Sequence, residues 1–267
     1  RAFLVRNEDL DVARVAAAPE VARGQLTDLR ALGLDWDGDV VRQSERLEGY
    51  AAAAARLPTY ECYCTRREIA EAASAPHDDG HRPYPGTCRD LTDPERAVRR
   101  ARRPPALRVA AEAASVTVVD RWAGEVTGVV DDFVLRRNDG VWAYNLAVVV
   151  DDLAQGVDQV CRGDDLLAGS PRQAWLARQL GGADPQYAHV GLVVNGAGQR
   201  LAKRDGAVTL ADLAAQGLDA ELVKPRIGRV EVSGAIGFVA GSEDDSLNLS
   251  MAAHARLTNP MAPETST

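Results

Sequence analysis

An α/β fold built on a parallel sheet is what this 267-residue sequence predicts. Three observations carry that expectation. Short apolar runs rich in β-branched residues alternate with helical segments along most of the chain, the pattern of strands joined by crossover helices. Gly and Pro punctuate the joints between those segments. The composition, 46% hydrophobic and 26% charged, is that of an ordinary globular chain long enough to bury a full core.

The elements follow in order. Phe3-Leu4-Val5 reads as a strand that opens into the acidic stretch Glu8-Asp9-Leu10-Asp11, and its place at the very start suggests a segment upstream of Arg1. Pro19 opens a helix that runs to Leu32, with Gly33 as its stop. Ser44 is the expected cap of a second helix through the alanine run to Arg56. A cysteine-bearing turn region spans Glu61 to Asp90, and an arginine-rich helix ends at Pro104-Pro105. Strand signals come next at Val116 to Val119, then at Phe133 to Arg136 and Val141 to Tyr144, joined by the turn Asn138-Asp139-Gly140. Leu146 to Leu153 is helical with Gly156 beyond it, and Val157 to Cys161 is strand-like. Ser170-Pro171 starts a helix that Gly181 closes, and Tyr187 to Val194 is a buried-strand candidate. A Gly-rich loop at Asn195 to Gln199 follows, and Thr209 caps a short helix. From about Ile227 the chain turns rich in Ser, Asn and Gly, without helical period, and reads as an atypical, weakly ordered extension.

Charge and hydropathy narrow the function classes. A formal net charge of -8 excludes a generic basic nucleic-acid binder. No apolar run approaches a membrane span, so a cytoplasmic protein is expected. Seven arginines, Arg89, Arg96, Arg99, Arg100, Arg102, Arg103 and Arg108, crowd one stretch, which reads as a solvated helix face or as a surface for phosphates. Of 31 basic residues only Lys203 and Lys224 are lysines, leaving 29 arginines. A chain that writes Arg nearly everywhere yet keeps Lys203 suggests a compact ammonium there, since the two cations differ where a point charge meets phosphate.

Three of the four cysteines fall in one window, Cys62-Tyr63-Cys64 and Tyr84-Pro85-Gly86-Thr87-Cys88. A C-x-C pair puts two sulfurs on one turn, and the Tyr-Pro-Gly turn can return Cys88 to the same point. Three thiolates and one further donor complete the tetrahedral shell that Zn²⁺ prefers. The candidates for the fourth donor are Tyr84, His81 and His77. Buried structural thiols are the plain alternative, and Cys62 and Cys64 are too close in sequence to pair comfortably with each other.

Four segments together resemble one family. Arg6-Asn7-Glu8-Asp9-Leu10-Asp11 is similar to the R-x-E-D-x-D strand end of glutamyl-tRNA synthetases. Tyr144 to Asp152 and Arg162-Gly163-Asp164-Asp165-Leu166-Leu167 are similar to that family's substrate-pocket segments. Arg200-Leu201-Ala202-Lys203-Arg204 sits where class I synthetases carry their K-M-S-K-S loop, with Arg200 for its first lysine and Ala202 for its serine. Within the family, Cys62-x-Cys64 with Tyr84-x-x-x-Cys88 resembles the zinc pattern of the short glutamyl-Q paralogues, whereas the full-length enzymes that bind zinc end theirs in C-x-H. The resemblance covers roughly residues 1 to 220.

The resemblance implies a Rossmann-like class I aminoacyl-tRNA synthetase catalytic domain with a small inserted zinc-binding subdomain. The expected division is 1–60 and 126–226 for the two parts of the catalytic domain, 61–125 for the zinc-binding and acceptor-type insertion, and 227–267 for the tail. It implies that Glu8, Tyr144 and Arg162 contact glutamate and that Lys203 contacts ATP and is catalytic. It also implies structural Zn²⁺ on Cys62, Cys64, Tyr84 and Cys88. The family activates glutamate with ATP and Mg²⁺ and, in the short paralogues, passes it to the queuosine base of tRNA(Asp); a monomer is expected. The chemistry beside the resemblance agrees. A carboxylate at a strand's carboxyl end suits a substrate ammonium, a guanidinium such as Arg162 can fork a carboxylate, and a mobile lysine can stabilise charge developing on phosphate. No counterpart of the family's H-I-G-H segment is found, and none of His77, His81, His189 and His254 has such a setting. The rival readings are a truncated glutamyl-tRNA synthetase and an inactive zinc-containing RNA-binding module.

Overall fold

The computed structural model describes residues 3–11, 15, 19–72, 83–191, 210–215, 217, 236–240 and 249–253. In chain order the elements are β1 (Arg6–Asn7), α1 (Pro19–Ala31), β2 (Val41–Arg42), a 3₁₀ turn (Gln43–Glu45), α2 (Leu47–Ala54), β3 (Thr59–Cys62), α3 (Arg66–Ala72) and α4 (Asp93–Arg100). They continue with β4 (Ala106–Val109), β5 (Ala114–Asp120), β6 (Gly124–Val130), β7 (Val134–Arg136), α5 (Tyr144–Gln155), β8 (Gln159–Gly163) and a second 3₁₀ turn (Asp164–Gly169). The last are α6 (Ser170–Gln179), β9 (Gln186–Val190), α7 (Leu210–Ala215), β10 (Ile236–Ala240) and β11 (Leu249–Ala253).

The main sheet has the order β2-β1-β10-β11-β8-β9-β5-β6. It is mixed, which corrects the expectation of a parallel sheet. The pairs β1/β2, β1/β10, β8/β9 and β5/β9 are parallel, but β10/β11, β11/β8 and β5/β6 are antiparallel. Following those directions across the sheet, β1, β8, β9 and β5 all point the same way, so their carboxyl ends share one edge. A smaller antiparallel sheet, β3-β4-β7, carries the cysteine region. The tail contributes β10 and β11, which lie between β1 and β8.

Several local signals act as the sequence suggests. Pro19 begins α1 and Ser170-Pro171 begins α6. α5 stops where Gly156 takes a left-handed φ of 69°, a conformation that a Cβ disfavours. The arginine-rich α4 is closed at its start by a capping box, in which Thr92 and Glu95 satisfy each other's backbone N–H groups. Its arginines serve mainly in ion pairs, with Arg96 on Asp93 and Arg100 on Glu61, which favours the solvated-face reading.

Others act differently. Ser44 does not cap a helix, because Asp9 takes both its backbone N–H (2.8 Å) and its hydroxyl (2.7 Å); α2 therefore begins at Leu47. The turn at 138–140 forms, but no second strand follows it. A single bridge, Arg136 to Trp142, precedes α5, which starts at Tyr144. Strands β2, β3, β4, β6, β10 and β11 have no counterpart in the sequence reading. The β5–β6 turn lacks an Asn-Gly or Asp-Gly signature; the Asp120 side chain makes it instead, accepting the N–H groups of Trp122 and Ala123.

The core is built from both sheets together with α2, α5 and α6. Tyr50, Val109, Val130, Leu135, Leu146, Ala147, Ala174 and Leu176 are buried there. Helix α6 approaches β6 so closely that a Cβ on Gly128 would lie 2.9 Å from Pro171 Cγ. No helix among the described residues is long and apolar enough to cross a membrane. Gly128→Val is expected to lower stability by roughly 1–3 kcal/mol, the usual cost of overpacking, as measured by denaturant unfolding; an unchanged midpoint would contradict this packing.

Candidate active site

Two clusters of chemically capable side chains stand out. The first lies along the edge where β1, β5, β8 and β9 end, the place where α/β sheets bind ligands. Arg6, the first residue of β1, is 1% exposed. Its Nη2 lies 2.9 Å from Asp152 Oδ1 and 3.6 Å from Glu8 Oε1, and its Nε lies 3.8 Å from Asp151 Oδ2. Its Nη1 donates to Gln155 Oε1 at 2.7 Å. Burial opposes the Arg6 charge, but Asp152, Glu8 and Asp151 outweigh it and hold the pKa above its ordinary value.

Asp151 and Asp152 both come from α5, the helix that Tyr144 begins. Asp151 is fully buried and accepts from Gln43 Nε2 (2.9 Å), Arg46 Nε (2.5 Å) and Tyr50 OH (2.8 Å). It therefore ties α5 to β1, to the first 3₁₀ turn and to α2. Glu8 follows β1 directly, as its motif predicts. Its side chain is 3% exposed, and neither carboxylate oxygen accepts a hydrogen bond among the described residues. Burial pushes its carboxyl up to about 8, against the pull of Arg6.

Arg162, on β8, is 3% exposed. Its Nε donates to His189 Nε2 (2.9 Å), its Nη1 to Gln173 Oε1 (2.6 Å), and its Nη2 to Ser170 Oγ (2.8 Å) and to Leu166 O (3.4 Å). Four of its five N–H groups are thus engaged, so a forked grip on a carboxylate would require Gln173 or Ser170 to let go. Gln173 also donates to Asn145 Oδ1 at 3.1 Å, which links Arg162 to the start of α5 beside Tyr144. Asp152 feels the charge of Arg6 and also of Arg162, so these cations flank one carboxylate. Lys203 lies outside the described residues.

Ser170, His189 and Asp120 have the outline of a nucleophile, base and acid set, with Ser170 Oγ 3.3 Å from His189 Nε2 and His189 Nδ1 2.7 Å from Asp120 Oδ2. They do not function as one here. Ser170 is fully buried, and the Nε2 lone pair already receives the closer Arg162 Nε–H. Sequence reasoning did not assign His189, Asp120, Gln173 or Ser170 to the site. The available signals were a histidine inside the apolar run Tyr187–Val190 and an aspartate closing an alternating strand.

The second cluster is the cysteine turn. The Sγ atoms of Cys62, Cys64 and Cys88 all lie within 4.8 Å of one another. Tyr84 OH is 3.4 Å from Cys62 Sγ and 3.7 Å from Cys64 Sγ, while Cys64 and Cys88 sulfurs are 3.6 Å apart. Zn–S bonds of about 2.3 Å in a tetrahedron put sulfurs about 3.8 Å apart, so these four donors suit a zinc-sized ion. Burial pushes the Cys64 thiol up to about 12, while the Tyr63 N–H, the Tyr84 hydroxyl, Cys64 and Arg99 hold Cys88 below its ordinary value against burial. Arg99 Nη1 stands 3.9 Å from Cys88 Sγ, and Arg108 lies 3.8 Å above the Tyr84 ring, so two cations face the sulfur-rich centre. His77 and His81 lie outside the described residues. Asp132 fastens this turn to the small sheet. It accepts from Tyr60 OH (2.6 Å), Arg89 Nε (2.8 Å) and Ala111 N (2.9 Å).

Comparison with known proteins places the chain. The model of the class I tRNA synthetases (E and Q), catalytic domain, matches residues 2–233. A protein of Nocardia farcinica named glutamyl-Q tRNA(Asp) synthetase is 61% identical over 228 residues, covering 84% of this chain and 72% of that protein. Proteins of the same name from Cutibacterium acnes and Geobacter sulfurreducens are 58% and 49% identical, over 82% and 78% of this chain. The chain spans 63% and 67% of their respective lengths. Among solved structures, a glutamate tRNA ligase from Elizabethkingia meningosepticum in complex with its amino acid shares the fold. Its TM-score is 0.62 at 24% identity, over 77% of this chain and 46% of that one. The chain belongs to the class I tRNA synthetase (E and Q) catalytic-domain family, in the group of relatives named glutamyl-Q tRNA(Asp) synthetase.

Proposed function

We propose that this chain carries the catalytic domain of a ligase that activates glutamate with ATP and transfers it to the queuosine base of tRNA(Asp). The observation that supports it most directly is Glu8. A carboxylate buried at a strand's carboxyl end, whose oxygens accept no hydrogen bond among the described residues and whose ion pair with Arg6 is long at 3.6 Å, is costly unless a further cation completes it. The α-ammonium of glutamate is such a cation. Arg162 supplies positive charge for the side-chain carboxylate, and Tyr144, at the start of α5, a phenol donor.

In the first step an oxygen of the glutamate α-carboxylate attacks the α-phosphorus of ATP, and the bond to pyrophosphate breaks. This gives glutamyl-adenylate. Mg²⁺ bound with ATP would offset its phosphate charge, and Lys203 stabilises the charge that develops on the phosphates. In the second step a hydroxyl of the queuosine base attacks the acyl carbon and AMP leaves. Zinc on Cys62, Cys64, Cys88 and Tyr84 takes no part in either step; it holds the small sheet and its turns together.

Acylation of tRNA(Asp) whose 3′ end has been oxidised with periodate separates this activity from ordinary aminoacylation. Incorporation of glutamate that survives oxidation and needs queuosine is expected; incorporation lost with the 3′ end selects the glutamyl-tRNA synthetase reading instead. Glu8→Gln is expected to raise the KM for glutamate roughly 10- to 100-fold in pyrophosphate exchange, the loss of one charge-assisted contact. Because the ionised carboxylate binds the ammonium and burial raises its pKa to about 8, wild-type affinity should tighten as pH rises through about 8. The Glu8→Gln profile should be flat there, and a shared slope would remove Glu8 from the role. Metal analysis of the purified protein should find about one zinc per chain, falling well below that in Cys62→Ser/Cys88→Ser, with lower thermal stability.

A further inference from the structure

Arg162 is oriented by a device that the glutamate reading does not itself require. In the parallel β8/β9 pair, Arg162 and His189 are direct register partners. On the other side of β9, β5 ends at Asp120, which is in register with Tyr187. The Asp120 side chain then takes the place of the next backbone acceptor. Its Oδ2 receives both the backbone N–H of His189 (3.0 Å) and His189 Nδ1 (2.7 Å). Its Oδ1 receives two further N–H groups, from Trp122 and Ala123, at 2.9 Å each. Three neighbouring strands thus bring an aspartate, a histidine and an arginine into one hydrogen-bonded row of side chains.

The partners fix the histidine's proton. A carboxylate only accepts, so the His189 nitrogen facing Asp120 carries the hydrogen. A guanidinium only donates, so Nε2 offers its lone pair to Arg162 Nε. One tautomer satisfies both contacts, and it is the neutral one. Burial and the Arg162 charge hold the His189 pKa below its ordinary value despite Asp120, which agrees with that state. The ring is itself confined, stacked 6.0 Å from Tyr187. Arg162 Nε then has one acceptor and the guanidinium one rotation, while Gln173 and Ser170 take the opposite edge.

We propose that His189, held in its Nδ1–H tautomer by Asp120, is a positioning residue for Arg162. It sets the plane of the guanidinium and leaves a single Nη1 N–H for the substrate carboxylate. This rests on the reading that Arg162 faces the side chain of glutamate. A row of this kind favours a carboxylate over an amide at that point. The fixed cation is matched by a negative oxygen, which an amide does not supply.

The test is glutamate-dependent pyrophosphate exchange by the full-length protein carrying His189→Asn or His189→Gln, with folding checked by circular dichroism and thermal midpoint. Asn can keep the contact to Asp120 but has no acceptor at the Nε2 position; Gln can place a carbonyl oxygen there. His189→Asn is expected to raise the KM for glutamate roughly 5- to 100-fold, the range for a buried charged donor left without an acceptor. The kcat and the KM for ATP should change little, and His189→Gln should recover most of the loss. Asp120→Asn provides an independent arm, because its amide would turn the histidine to the other tautomer; the same selective rise in KM is expected. A wild-type KM for glutamate in His189→Asn, or equal impairment in His189→Gln, would overturn the proposal while a raised KM in Arg162→Ala leaves the glutamate reading standing. An unchanged KM in Arg162→Ala would overturn that reading and this proposal with it.

Discussion

The structure turns on one buried guanidinium. Arg6 sits among Glu8, Asp151 and Asp152 with its side chain closed to solvent, at the junction of β1 and α5. Burying one charge is costly, and burying four is tolerable only when they are interleaved and hydrogen-bonded. The geometry of Arg6 therefore dictates where the strand ends and how the helix is rotated against it. Asp151 extends the constraint outward through Gln43, Arg46 and Tyr50, so that the turn before α2 and α2 itself are registered to the same point. Neither carboxylate oxygen of Glu8 accepts a hydrogen bond among the described residues.

The two clusters divide the work by kind of interaction. At the edge of the main sheet, buried charges are held by other charges, and the sheet's parallel strands bring their ends together. In the small sheet the apolar surface is modest, and the turn is held by Tyr84, the three thiols and the Asp132 network. A metal ion would replace there what a larger hydrophobic core supplies elsewhere. Arg89 and Arg108 both converge on Asp132, the first on its carboxylate and the second on its carbonyl. Part of the arginine-rich stretch is thus explained as internal scaffolding.

Much of the architecture was legible because its signals are local. Pro19, Gly33, Gly156, Ser170-Pro171 and Gly181 mark helix ends through backbone sterics that need no partner. The convergence of Cys62, Cys64, Tyr84 and Cys88 was legible because two tight turns confine them to one region. What could not be read was pairing. Strand β6 and the antiparallel direction of three strand pairs depend on which segments meet, and Ser44 lost its helix cap to Asp9, 35 residues away. Tyr144 was expected at a strand's end and instead begins a helix.

The sequence by itself singled out the candidate site residues, Glu8, Tyr144, Arg162 and the cysteine turn, because these lie in short contiguous segments whose residue order resembles the family's. Only the tertiary structure decided what surrounds them. Asp120, His189 and the pair Gln173 and Ser170 come from three separate segments, and nothing in any of those segments alone says that its polar side chain will join the network around Arg162. Sheet register and helix packing make those contacts, and they are set by the summed burial of the whole core and not by any local stretch of chain.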